Sequence, residues 1–569
     1  MNRQAILHIP LSAYAHALDE ERVVFRLRAA RGDLAVCTLL YGDRSCRKTP
    51  VDMFPCGMHV CAQDGQFDWF EAVLLSPFKR ICYAFELTDT QGEKLLYYGD
   101  QFESGLTADR SEYFQLPYNH RADRMNVPDW MRDAVVYNIF PDSFASGRRE
   151  ISLQARTAQY QGETVRGKLG GTLHGVMQNL DYLRDLGVTC VYLNPIFAAG
   201  EYHKYDLIDY YHVDPVFGTD EEFAAVVRRA HELGIRVMID GVFNHCGWRF
   251  FAFRDAVEKG RASRYFDWFY RLEEPVVLPQ DMQTYPPYEC FGYERMMPKL
   301  ATDHPDVQAY FCAVGAHWVK EYGIDGWRLD VASEVNDGFW RAFRRAVKAV
   351  NPQCALVGEI WETAAHWLDG SMFDSTMNYD MRRHARRFFA EESVDAAAFD
   401  ARVTDMRMRY RTQAAFAQLN LLSSHDVSRF LSLCGGDERR MRLAALFQMT
   451  FIGMPCVFYG DELGAQGVLE EEYRLPMPWE RAGCAMHAFY RRAIQLRLEH
   501  PALRRGSFAC VHAQGRTYHY LRSGEGERIH VALNAGKQEA GVCVPGRILW
   551  QEGYDCGILG PYGFVVTME

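Results

Sequence analysis

Four short stretches of this chain carry the side chains that nucleophilic and acid–base chemistry needs. They are 240–245 (Asp-Gly-Val-Phe-Asn-His), 328–330 (Arg-Leu-Asp), 359–361 (Glu-Ile-Trp) and 425–426 (His-Asp). Each follows an apolar run that is typical of a buried strand, and each alone is also typical of an ordinary helix cap or ion pair. Because polar clusters stand at the ends of four predicted strands of one chain, they indicate a single site instead.

Arg328 and Asp330 lie two positions apart at the end of one predicted strand. Side chains alternate between the two faces of a strand, so both are expected to point to the same side. A guanidinium beside a carboxyl group favours the ionised acid, which predicts Asp330 as an anionic nucleophile. Neighbouring strands lie about 4.8 Å apart, so the carboxyl groups of Asp330 and Glu359 are expected to approach each other to roughly 5 to 5.5 Å, the separation that retaining glycosidases use. The proton is expected on Glu359.

The elements that must position these side chains form a repeating pattern. From Asp133 onward, strand-like runs alternate with amphipathic helices such as 173–186 and 220–233, in which apolar residues recur every three or four positions. Eight strands are predicted, at 134–140, 188–194, 235–240, 324–330, 354–359, 372–378, 416–422 and 453–459. Eight parallel strands with crossover helices predict an α/β fold, a (β/α)8 TIM barrel with its active site at the C-terminal strand ends.

Further domains are expected on both sides of the barrel. Residues 1–120 contain short β-branched and aromatic runs separated by turns, which predicts an N-terminal β-sandwich. The barrel is assigned to 121–505, with a small subdomain at about 246–303 after the third strand, because that interval is too long for an ordinary loop. Residues 506–569 return to short strands with Gly turns and are predicted to form a C-terminal β-sandwich.

Composition excludes several classes of protein. With 569 residues and a formal net charge of −11, the chain has no Lys/Arg-rich run, which argues against nucleic acid as a partner. No segment reaches the twenty apolar residues of a membrane helix, and the N-terminus has no secretory pattern. The 16 cysteines are scattered without a C-x-x-C pair, so free thiols in a reducing cytoplasm are expected.

At these four strand ends the sequence resembles the α-amylase family of glycoside hydrolases, and the resemblance covers nearly the whole chain. It implies that Asp330 is the nucleophile, Glu359 the general acid/base and Asp426 the transition-state stabiliser. The stretch 203–206 (His-Lys-Tyr-Asp) looks like the one whose tyrosine stacks on the sugar. The substrate-binding residues carried over in this way are Tyr205, Asp240, Asn244, His245, Arg328, Trp361 and His425.

Within that family, 297–300 (Met-Pro-Lys-Leu) and the N-terminal β-domain resemble the cyclomaltodextrinase, neopullulanase and maltogenic amylase group. The resemblance implies cleavage of α-1,4 bonds in cyclodextrins, maltooligosaccharides and, less directly, pullulan. It also implies a homodimer in which the N-terminal domain packs onto the partner's barrel and narrows the site. The implied substrate is thus a small oligosaccharide, which the enzyme is expected to cleave in the cytoplasm.

The chain departs from the group where many members bind calcium. After the first strand it has 143–149 (Ser-Phe-Ala-Ser-Gly-Arg-Arg), and before the first helix 170–172 (Gly-Gly-Thr) in place of Gly-Gly-Asp. Thr supplies no carboxylate and the Arg pair would repel a cation, so no metal and no cofactor are predicted. Glu362 stands where a His commonly follows the Trp, so sugar binding beyond the cleavage point is expected to differ.

Three alternatives remain open from the sequence. A transglycosylase would share every step up to the glycosyl-enzyme intermediate, so the motifs do not separate it from a hydrolase. A non-catalytic glucan-binding scaffold is expected to lose one of the three carboxylates, and all three are present. A metal-dependent hydrolase would need His pairs at strand ends, and neither H-x-H nor H-E-x-x-H occurs.

Overall fold

The central element of the computed structural model, which describes residues 1–281 and 283–569, is a closed barrel of eight parallel strands. Barrel strands 1 to 8 are Val136–Ile139, Cys190–Leu193, Arg236–Gly241, Gly326–Leu329, Ala355–Gly358, Ser375–Asn378, Leu419–Leu421 and Met454–Phe458. The TIM barrel is confirmed. Each strand lies within its predicted interval except the third, which ends one residue later at Gly241.

The helices around the barrel follow the predicted alternation. Their bounds are Leu173–Gln178, Leu180–Leu186, Asp220–Glu232, Pro305–Tyr322, Asp337–Val350, Tyr379–Ala385, Ala396–Met408, Glu438–Thr450 and Ala485–Glu499. The single helix predicted at 173–186 is wrong, because the chain leaves helical geometry at Asn179 (φ −108°, ψ 7°). The Asn179 amide donates to the carbonyls of Gly175, at 2.8 Å, and Gly147, at 3.0 Å, and so competes with the backbone ladder.

Ten strands form two sheets ahead of the barrel. They are Ala15–Ala17, Arg22–Ala30, Leu34–Asp43, Phe54–Gly57, His59–Gln63, Phe67–Leu75, Ile81–Asp89, Lys94–Tyr98, Gln101–Glu103 and Phe114–Leu116. Alternation of apolar and polar residues buries one face of each sheet, and Phe25, Leu39 and Phe85 are fully buried between them. The predicted N-terminal β-domain is confirmed.

The insertion after barrel strand 3 folds back onto the end of that strand. It contains a helix, Phe251–Lys259, and a hairpin of Cys290–Phe291 with Glu294–Pro298. An antiparallel bridge between His245 and Lys299 joins its two ends. The hairpin is thereby held over the C-terminal ends of the barrel strands, as the long interval predicted.

The chain ends in a β-domain of six strands, Ser507–Gln514, Thr517–Gly524, Glu527–Asn534, Ala540–Gly541, Arg547–Asp555 and Ile558–Met568. The sequence predicted a β-sandwich here. Hydrogen bonds join all six strands into one sheet, because the long last strand pairs with three others. All 16 cysteines carry free thiols, and in the described part of the chain no helix has the length and apolar character to cross a membrane.

Candidate active site

The barrel register brings the predicted catalytic side chains to one rim. Asp240 in barrel strand 3 is the register partner of Arg328 in strand 4, and Leu329 is the partner of Gly358 in strand 5. Asp330 and Glu359, each the next residue along its strand, therefore emerge side by side at the C-terminal end. This is the rim at which (β/α)8 barrels carry their active sites.

The guanidinium of Arg328 is the centre of this cluster and is fully buried. Its Nη1 lies 2.6 Å from Asp330 Oδ1 and 2.8 Å from Asp240 Oδ1. Its Nη2 lies 2.8 Å from Glu359 Oε1 and 3.9 Å from Asp426 Oδ2. One rigid planar cation thus fixes four carboxyl groups from four different strand ends relative to one another.

The backbone after Asp330 adopts a conformation that L-residues rarely use. Val331 has φ 43° and ψ 43°, in the left-handed region, which is uncommon for a β-branched residue. This turn directs the Val331 N–H to Glu359 Oε2 at 2.9 Å. The indole N–H of Trp361 donates to the other oxygen, Oε1, at 3.2 Å. The conformation of Val331 costs about 1–3 kcal/mol, and it orients the carboxyl group of Glu359.

The electrostatics of the carboxyl pair differ from the sequence-based expectation. Burial raises the pKa of Asp330 well above its usual range, against the opposing effect of Arg328, and Glu359, Asp240 and Asp426 raise it further. Arg328 lowers the pKa of Asp330, as predicted, but its effect does not outweigh burial and the three neighbouring acids. Asp330 therefore holds its proton more tightly than a free aspartic acid does.

Asp426, on the opposite side of the cluster, is held in its ionised form. Its burial opposes ionisation, but His425, Arg328 and Arg474 together lower its pKa to about 2. His425 Nε2 lies 2.9 Å from Asp426 Oδ2 and 2.6 Å from the hydroxyl of Tyr205. The Tyr205 hydroxyl also donates to Asp240 Oδ2 at 2.9 Å, which links both sides of the cluster.

A cleft of about 550 Å³ opens over this cluster. Of the ten predicted site residues, six line it: Tyr205, His245, Asp330, Glu359, Trp361 and Asp426. The His245 side chain is buried against Phe291 with ring centroids 5.0 Å apart, and its Nε2 has no partner in the described part of the chain. Burial lowers the pKa of His245 to about 3, with Lys299 adding to the effect. The ring is therefore neutral, with a nitrogen available to a ligand.

The other four predicted site residues lie behind the cleft wall. Arg328, Asp240 and Asn244 are buried and do not line the cleft, and neither does His425. Asp240 accepts from Arg328, from the hydroxyl of Tyr192 at 2.8 Å and from Tyr205. Asn244 Oδ1 accepts from the ammonium of Lys299. In the structure these groups contact other site residues, so they position the side chains that face a ligand.

Several lining residues were not predicted from the sequence. Arg474 donates from Nε to the His425 carbonyl at 2.8 Å and lies 3.5 Å from Asp426 Oδ1. It comes from the loop after barrel strand 8, which carries no recognisable motif. Phe291 and Glu294 reach the cleft from the inserted hairpin, and the sequence signal indicated only that this segment projects over the site.

At the position where calcium was considered, the Asp142 carboxylate is already occupied by the protein. It accepts backbone N–H groups from Lys168, Leu169 and Gly170 at 2.9–3.2 Å. Its side chain is buried, and burial raises its pKa against these hydrogen bonds. Among the residues that the structure describes, no group of three or more His, Cys, Asp or Glu side chains could hold a metal.

Two family models match this chain, and together they cover most of its length. Residues 138–482, which include all four strand ends, match the model of the alpha-amylase catalytic domain. The chain belongs to the alpha-amylase family. Residues 1–120 match the N-terminal Ig-like domain of alpha-amylases. The protein is therefore a glycoside hydrolase.

The similarity to individual relatives extends over the full length. A protein named "Cyclomaltodextrinase" from Geobacillus thermopakistaniensis (strain MAS1) is 40% identical, over 100% of this chain and 99% of the relative. "Neopullulanase 2" from Thermoactinomyces vulgaris is 43% identical, over 93% and 91%. A solved structure titled "Cyclomaltodextrinase" superimposes with a TM-score of 0.90 at 36% identity, covering 100% of this chain and 98% of that one.

The position of Asp240 behind the cleft generates a prediction for the variant Asp240→Asn. Removing this carboxylate takes away one of the charges that raise the pKa of Asp330 and leaves Arg328 with fewer competing partners. Both effects lower the pKa of Asp330, so the acidic limb of the kcat/KM profile against pH should move to lower pH. Loss of one partner of a buried pair should also cost about 3–5 kcal/mol of stability.

Asp374→Asn is the matched control. Asp374 is equally buried and ion-paired, with Arg344 at 2.7 Å and Lys348 at 2.8 Å, but it lies before barrel strand 6, away from the cleft. It should lower the melting temperature comparably and leave the pH profile in place. An unmoved acidic limb in the Asp240 variant would contradict the assignment of Asp240 to the electrostatics of the pair.

Proposed function

We propose that the protein is a retaining α-glucan hydrolase in which Asp330 is the nucleophile, Glu359 the general acid/base and Asp426 the transition-state stabiliser. The observation that carries this proposal is that one guanidinium contacts Asp330 and Glu359 at neighbouring strand ends, with both groups facing one cleft. Cleavage through a covalent intermediate requires one ionised and one protonated carboxyl group on either side of the scissile bond.

In the proposed reaction the Asp330 carboxylate attacks the anomeric carbon while Glu359 gives its proton to the glycosidic oxygen. The bond to the leaving sugar breaks, and an ester joins the glucosyl residue to Asp330. Water then attacks the same carbon, Glu359 takes up its proton, and the Asp330 carboxylate leaves. Asp426, ionised and held by His425, faces the cleft where positive charge develops on the sugar ring.

The proposed substrates are cyclodextrins and short maltooligosaccharides, with pullulan as a further candidate. The names of the relatives support this class. The shape of the site supports it too, because the inserted hairpin brings Phe291, Glu294 and Met297 over the barrel rim and restricts the cleft to about 550 Å³. Initial rates on β-cyclodextrin, pullulan and soluble starch measure the preference directly, and a higher rate on starch than on both others would refute it.

The variant Glu359→Gln tests the role of the acid. Glutamine has nearly the same shape but holds no transferable proton, so turnover should fall by about 10²- to 10⁴-fold. Glu232→Gln, at an exposed position on the barrel helix Asp220–Glu232 and outside the cleft lining, is the control and should retain activity. Equal turnover in the Glu359 variant and the wild type, with an unchanged melting temperature, would reject this assignment.

Transglycosylation is the second candidate, because the glucosyl ester on Asp330 can pass to a sugar hydroxyl instead of water. It is supported by Trp361, a 45% exposed aromatic at the cleft that stacks on Tyr379 with ring centroids 3.8 Å apart. Such a face can hold an acceptor sugar by stacking. Product chromatography at high maltose separates the two reactions, since long or α-1,6-linked products appear only with transfer.

We also propose that no calcium binds at Asp142. The three backbone N–H donors leave its carboxylate with little capacity to ligate a cation, and the neighbouring Arg148 and Arg149 add positive charge. The melting temperature should be the same in calcium and in excess chelator. A calcium-dependent rise that disappears in Asp142→Asn would refute this.

A cytoplasmic homodimer is the proposed state of the protein. The free thiols fit a reducing compartment. Apolar side chains on the outer face of the N-terminal domain support association: Val73 and Leu75, two positions apart on one strand, are 47% and 67% exposed. Exposed apolar surface of this kind is typical of a protein interface.

The double variant Val73→Lys, Leu75→Lys should be monomeric by light scattering, because it would place two charges in the proposed interface, whereas the wild type should have twice the chain mass. Ile558→Lys, at a position 47% exposed in the C-terminal β-domain, is the control and should stay dimeric. A wild-type monomer, or a charged N-terminal variant that still dimerises, would exclude this interface.

A further inference from the structure

A second cavity, of about 680 Å³, lies away from the catalytic cleft and is lined by positive charge. Six cationic side chains line it, and no acidic residue does. We call it the basic groove and define it by Arg121, Arg124, Arg341, Arg344, Arg345 and Lys348. The whole chain has a net charge of −11, so a groove lined by positive charge alone contrasts with the rest of the protein.

Two segments of the fold form the groove. Four of its cations come from one face of the helix Asp337–Val350, at the spacing of three and four residues that places side chains one above another. The other two come from the segment between the N-terminal domain and the barrel, where Arg121 begins the short helix Arg121–Asp123 and Arg124 directly follows it. Like charges at this helical spacing destabilise a helix, so the arrangement is costly unless an anion is present.

The internal partners of these cations leave two of them uncompensated. Arg344 and Lys348 share Asp374, Arg341 contacts Asp337 at 3.2 Å, and Arg124 contacts Glu20 at 3.5 Å. Arg121 and Arg345 are exposed and have no ion pair or hydrogen bond within residues 1–281 and 283–569. Arg344 and Lys348 share one carboxylate, so the six cations face three acids, and the groove has a local excess of about three positive charges, two of them on Arg121 and Arg345.

The state of Lys348 agrees with this excess. Burial lowers its pKa, and Arg344 lowers it further, although Asp374 opposes both effects. A second anion in the groove would relieve this deficit of negative charge. Asp374 directly precedes barrel strand 6, so the groove lies toward the N-terminal ends of the strands, opposite the catalytic rim.

We propose that the basic groove binds a small phosphorylated molecule through its phosphate group. A phosphate carries about −1.5 to −2 charges at pH 7, which matches the two uncompensated arginines, and the guanidinium fork binds phosphate oxygens in pairs. The volume lies within the roughly 300–1,000 Å³ of small-molecule sites and leaves room for a sugar-sized group. Because the groove joins the linker segment to a barrel helix, the bound ligand would hold the two together.

The test measures ligand binding to the full chain in chloride buffer by calorimetry and by thermal unfolding. The probes are inorganic phosphate and glucose 6-phosphate, with glucose and sodium chloride at equal ionic strength as controls. We expect saturable binding of one equivalent and a rise in melting temperature with at least one phosphate probe and neither control. Tighter binding of the ester by ten-fold identifies a phosphorylated sugar as the ligand type, and equal affinities identify free phosphate.

The double variant Arg121→Gln, Arg345→Gln should weaken this binding by at least ten-fold. Both side chains are exposed and unpaired, and neither belongs to the catalytic cluster, so the variant should fold and keep its glucan-hydrolysing activity. Arg228→Gln, an exposed arginine on the barrel helix Asp220–Glu232, is the matched control and should bind as the wild type does.

Three results would overturn the proposal. One is an equal response to chloride at the same ionic strength, which would mean general screening. Another is unchanged phosphate affinity in the double variant, which would place the ligand elsewhere. The third is binding of heparin with no binding of either phosphate, which would assign the groove to a polyanion.

Discussion

The structure of the site depends on one buried cation. Arg328 is inaccessible to solvent, and transferring an unpaired guanidinium into such a place would cost several kcal/mol. The cost is met because carboxyl groups from barrel strands 3, 4 and 5 contact it within 2.6–2.8 Å. Since the cation is planar and rigid, it sets the mutual geometry of these groups. The eight-stranded barrel is the scaffold that delivers them in register.

Much of this arrangement could be predicted from the sequence. The strand intervals follow from apolar runs bounded by Gly and polar residues, and parallel strands place every C-terminal end at one rim. Asp330, Glu359 and Asp426 each stand at the end of a predicted strand, so their grouping at this rim could be predicted too. The early break at Asn179 could not be predicted in the same way, because it depends on a side-chain amide reaching a carbonyl 32 positions away in the sequence, that of Gly147.

What sequence reasoning missed depends on three-dimensional contacts between distant segments. Arg474 approaches Asp426 from a loop with no periodicity, and Phe291 reaches His245 from an inserted hairpin whose placement the chain pattern does not encode. The left-handed Val331 is a further case, since its residue type disfavours that conformation. Nor could spacing show how strongly burial and the neighbouring acids oppose the effect of Arg328 on the pKa of Asp330.

The balance of charge in the cluster favours the transition state of the proposed reaction. Four carboxyl groups surround Arg328, and Asp426, with its pKa of about 2, stays ionised. Acidic groups thus outnumber the cation at the centre of the cluster, and burial together with the neighbouring acids raises the pKa of Asp330. In the proposed first step the proton of Glu359 leaves with the departing sugar while the ring becomes cationic. The excess of carboxyl groups at the cleft faces this developing positive charge and therefore stabilises the transition state more than the ground state.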